Sequence, residues 1–175
     1  MKRILLLTAI ILLLVGCVRY KDGKPVNEPE KKEEPVAIEE PKETPEEKTN
    51  KALKENKYAD VISVNGQFEA EPYTVHVELQ GQESLTTNMT VKSMKLAIRE
   101  VLYSVKGLDL KFSNVGVSVK YPLTDQYGNS NDEFVIKSNF GAETIGKMNK
   151  DKNKLDADNL PVIADEWWEH PALSK

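Results

Sequence analysis

The chain has a single cysteine in 175 residues, Cys17, so it has no intramolecular disulfide and no cysteine-based metal site. Its two histidines, His76 and His170, are far apart. No HExxH pair, glycine-rich phosphate loop or Gly-x-Ser-x-Gly turn occurs. The reading is therefore of a non-enzyme, with no catalytic residue, no metal site and no cofactor to name. An excess of positive charge is also missing. The formal net charge of −4 argues against a nucleic-acid partner held by phosphate contacts. Long apolar runs are missing too. Ile4 to Val15, broken only by Thr8, is well short of the roughly 20 residues a helix needs to cross a bilayer.

That short apolar run follows Lys2 and Arg3 and precedes Gly16 and Cys17, the layout of a secretory leader. Leu14-Val15-Gly16-Cys17 resembles the lipobox of bacterial lipoproteins. The resemblance implies a signal peptide over 1–16, diacylglyceryl transfer to the Cys17 sulfur and cleavage just before it. Its implied partner is the membrane, reached through the lipid, and its implied location is the extracytoplasmic face. Two acyl chains, at about 0.8 kcal/mol per buried CH₂, anchor a protein far more durably than one. With Lys2 and Arg3 gone, the formal charge falls from −4 to −6. Lys, Glu and Asn far outnumber Arg, which resembles the residue usage of a low-GC Gram-positive bacterium.

Residues 17–57 carry the lipidated cysteine and then a tether. The stretch is dense in Glu and Lys, holds Pro25, Pro29, Pro35, Pro41 and Pro45, and has no aromatic after Tyr20. Such a composition cannot bury enough apolar surface to offset the entropy of ordering. Asn50 to Asn56 has the makings of a helical turn or two.

Residues 58–175 read as one extracytoplasmic α+β domain. Val61, Ile62 and Val64 suggest a short strand ended by the Asn65-Gly66 turn signal, and Tyr73, Val75, Val77 and Leu79 alternate with polar residues as a half-buried strand. Val91, Met94, Ile98, Val101, Leu102 and Val105 recur at helical spacing, with Thr90 as N-cap and Gly107 at the stop. A strand from Val115 to Tyr121, closed by Pro122, is joined by a long loop to a strand around Phe134 to Phe140. Short helices are expected at 141–149 and from Asn159 through the tryptophans to Pro171. The expected fold is an α+β sheet of about four strands, mixed or antiparallel, with one main helix on one face and short C-terminal helices.

Four places in the sequence offer candidate site chemistry. Asp165, Glu166, Glu169 and His170 bring carboxylates and an imidazole beside Trp167 and Trp168, though a histidine at a helix end is also what the helix dipole favours. His76 stands alone on the polar face of its strand. Asp151 to Asp156 begins like an EF-hand loop but puts Leu155 where an oxygen ligand is needed. Asp125, Asn129, Asn131, Asp132 and Glu133 offer oxygens for a metal in a stretch that also reads as an ordinary hairpin turn. On a helical register Trp167 faces the core and Trp168 turns about 100° away, which makes Trp168 the expected binding contact.

From Val115 onward, the run through Tyr127-Gly128-Asn129 to Ala164-Asp165-Glu166-Trp167-Trp168-Glu169-His170-Pro171-Ala172 resembles small lipoproteins of Gram-positive bacteria and their mobile elements. It implies no activity. The expected role is a non-enzymatic binding module at the cell surface whose ligand is an extracytoplasmic protein, peptide or wall component. The alternatives are a small wall-active hydrolase using Asp165, Glu166 and His170, or an accessory of a membrane or conjugation complex.

Overall fold

The computed structural model describes residues 43–174, together with a short antiparallel ladder of Tyr20–Lys21 with Lys24–Pro25. The leader, Cys17 and most of the expected tether lie outside the described residues. The chain divides into two units, residues 1–40 and 41–175. No helix among the described residues is long and apolar enough to cross a membrane.

The alternation read from Tyr73 to Leu79 is the backbone of the second unit. In strand β2 (Tyr73–Gly81) the residues Tyr73, Val75, Val77 and Leu79 are buried, while Thr74, His76, Glu78 and Gln80 point the other way. Strand β1 (Ala59–Gln67) pairs with it antiparallel. Helix α2 (Thr87–Lys106) then carries the chain across to strand β3 (Phe112–Thr124), which lies parallel to β2. Strand β4 (Ser130–Gly141) returns antiparallel through a tight loop, and β5 (Glu166–Glu169) adds a last antiparallel edge. The result is an α+β fold with a five-stranded mixed sheet in the order β1-β2-β3-β4-β5.

One face of the sheet is covered. Met94, Ala97, Ile98, Val101, Leu102 and Val105 of α2 meet Val77, Leu79, Val115, Val117, Val119, Ile136 and Phe140 in the core. Helix α1 (Pro45–Leu53) closes the core on the β1 side, with Leu53 only 2% exposed. Thr44 caps α1 in a reciprocal capping box with Glu47. Packed structure thus begins before residue 58, inside the stretch expected as tether.

Four elements differ from expectation, each for a local reason. β1 runs through Asn65-Gly66 instead of turning there. A side chain at 66 would collide with the Thr74 carbonyl and the Phe68 ring, so this glycine serves a close approach. β3 continues past Pro122 because β2 has already ended at that level, and the missing N–H faces no partner strand. α2 starts a turn early: Thr86 caps it, while the buried Thr90 hydroxyl accepts the Ser84 N–H at 2.9 Å.

The largest correction is at the C-terminus. The helix expected to run from Asn159 through the tryptophans is one turn, α4 (Leu160–Ile163), after two short 3-10 turns, and Trp167 and Trp168 lie in β5. The outer edge of β4 offers unpaired backbone groups, and pairing them outweighs the helical spacing of Leu160, Ile163 and Trp167. The short helix expected at 141–149 forms as α3 (Ala142–Lys147).

Candidate functional site

The register places the polar side of every strand in rows across the face opposite the helices. One row runs Asn65, His76, Gly116, Asn139 and Glu166, from β1 to β5. The next runs Ser63, Glu78, Ser118, Lys137 and Trp168. At their centre is Gly116, whose missing side chain leaves room for the edge of the His76 ring. Two adjoining hollows of about 410 and 430 Å³ meet there, sharing His76, Gly116 and Asn139. Together they form a trough across the strands.

The glycine has a geometric purpose. The His76 ring lies over it so closely that a Cβ at 116 would come within 2.5 Å of Nδ1. His76 Nε2 lies 3.2 Å from Ser118 Oγ, which fixes the ring along β3. This spacing suits a serine and its base, but Ser118 is 6% exposed and no carboxylate among the described residues bonds to the other ring nitrogen. The pair is a positioning contact for the imidazole. Next to it, Asn114 lines the trough while its Oδ1 is shut from solvent without a hydrogen-bond partner.

Toward β5 the walls become aromatic and charged. Lys137 Nζ sits 5.2 Å from the Phe134 ring centre and 5.5 Å from that of Trp168. Lys120 stands 4.6 Å over Phe134 and pairs with Glu78 at 3.2 Å. Trp168 remains 44% exposed, with His170 edge-on at 5.8 Å.

The sequence-predicted cluster at 165–170 is split by the strand. Asp165 accepts hydrogen bonds from the Gly141 N–H and the Thr144 hydroxyl, and so holds the start of α3 where Gly141 has no side chain to do so. Glu166 and Trp168 point into the open face. Glu169 and Trp167 point to the helical side, where Glu169 meets Lys95 at 3.4 Å and Trp167 packs on the core. The Nδ1 of His170 accepts the Ala172 N–H at 3.1 Å. These groups share no centre.

The other candidates are engaged in their own loops. Asp125 accepts from the Tyr127 and Asn129 backbone and from the Asn129 side chain, contacts that hold its carboxyl below the ordinary range, the Asn129 side chain contributing most. Gly128 completes this turn at φ +87°. Asp151 and Asp156 each cap a 3-10 turn. No group of three or more His, Cys, Asp or Glu able to hold a metal occurs among the described residues. A second crevice, between Val105, Phe112 and Ile145, is apolar, and the Lys106 ammonium beside it is spent on the Ile145 and Met148 carbonyls.

Sequence reasoning placed His76 on the polar face but missed its neighbours. The signal was there in Asn114-Val115-Gly116-Val117-Ser118: a glycine at an outward position of a β-branched strand marks a close approach on that side. Comparison with protein-family models, curated proteins and solved structures gave no match.

Proposed function

We propose that this chain is a membrane-anchored extracytoplasmic lipoprotein, held through Cys17, whose second unit is a non-enzymatic binding module at the cell surface. The trough over Gly116 carries the binding reading. It lies on a face that no element among the described residues covers, is lined by polar side chains, and has an exposed tryptophan at one end. Exposed tryptophan beside fixed polar groups is the composition of contact surfaces. The resemblance at Leu14 to Cys17 supports the location.

The anchor has a direct test. Cys17→Ala leaves an uncleaved precursor that takes up no fatty-acid label, and lipid label on that variant sinks the assignment. The binding reading is tested on intact cells with an aromatic photo-crosslinking residue, which keeps a ring in place, in the full-length chain at 168, on the open face, or at 89, on α2. Products from 168 and none from 89 are expected. Equal products at both, or none at 168, refute a ligand on this face.

A further inference from the structure

We infer that the trough takes an extended, uncharged saccharide chain lying across the strands, stacked on Trp168 and hydrogen-bonded by Asn65, Asn139 and Glu166. This rests on the binding reading above and names the class of its ligand. The trough crosses all five strands, about 19 Å at 4.8 Å per spacing, so it suits a chain better than a compact molecule. It lies on the face of the sheet, where the backbone N–H and C=O groups of β2, β3 and β4 are already paired on both sides. An extended peptide therefore finds no edge to join, and recognition falls to side chains.

Those side chains suit hydroxyl groups. The side-chain amides of Asn65 and Asn139 both donate and accept, and Glu166 is an acceptor with no cation bonded to it among the described residues. A hydroxyl can answer each of them in either direction. An anionic polymer meets Glu166, while Lys120 already pairs with Glu78 and the Lys137 ammonium sits over the Phe134 and Trp168 rings. At the β5 end the indole offers an apolar ring surface to the flat C–H side of a sugar.

The test uses the full-length chain in detergent and calorimetric titration with uncharged β-linked N-acetylglucosamine oligosaccharides. Saturable binding is expected. Trp168→Ala and Asn139→Ala should each weaken it about tenfold or more with unchanged melting, and Trp168→Phe should recover most of the loss. No saturable binding, tighter binding of a carboxylated saccharide of the same length, or variants that bind as well as the parent would overturn the uncharged-saccharide assignment. If crosslinking at 168 still captures a partner, the binding module survives and only its ligand class is wrong. If that product is also missing, the binding reading falls as well.

Discussion

At the scale of single residues, the two adjacent tryptophans have opposite duties because a strand sends neighbours to opposite faces. Trp167 packs on the core and Trp168 faces outward, 44% exposed. Trp167→Ala should cost about 3 kcal/mol and Trp168→Ala under about 1 kcal/mol, read from denaturant midpoints. Equal losses would mean the two rings share one environment. The division between core-facing and outward tryptophan was legible in the sequence, though for the wrong reason. Helical spacing and strand alternation both separate positions 167 and 168, and nothing local reveals that β4 needs a partner. Asp125 gives a pH test. Its carboxyl is held below the ordinary range, so its hold on the loop is complete above the unfolded value and is lost as pH falls through the lowered one. The Tyr127 and Asn129 amide NMR signals should move in that acid window, and Asp125→Asn should remove the transition.

Among the elements, α1 shows where composition misleads. Proline and charge around 41–57 resemble a tether, yet Thr44, Glu47 and Pro45 form a helix start, and Leu53 supplies one buried anchor. A single apolar side chain in a polar segment carries almost no periodic signal, so the docking site on α2 and β1 was not visible. Leu53→Ala should lower stability by about 2 to 4 kcal/mol, measured by thermal melting. A loss below 0.5 kcal/mol would make α1 a bystander. The strands and α2 were legible because apolar residues recur at clean periods there, and the errors sit at their ends, where Pro122, Gly66 and Thr90 each answer to a contact that no periodicity encodes. The trough was illegible for the same reason: its rows exist only once five registers are set.

For the whole molecule, the sheet divides into two antiparallel parts, β1-β2 and β3-β4-β5, joined by the parallel pairing of β2 with β3 across the length of α2. Each part closes over modest sequence distances, while the joining pair brings together groups as far apart as His76 and Ser118, 42 residues. Long-range parallel pairing pays its loop-closure entropy before any contact rewards it. Hydrogen exchange should therefore show the amides between β2 and β3 exchanging only with global opening, while the β3–β4 loop end exchanges faster. The two sides of the trough come from the two sides of that join, His76 from one and Gly116 with Ser118 from the other. A half-assembled chain has no trough at all, so the trough exists only where the pairing of β2 with β3 has been completed.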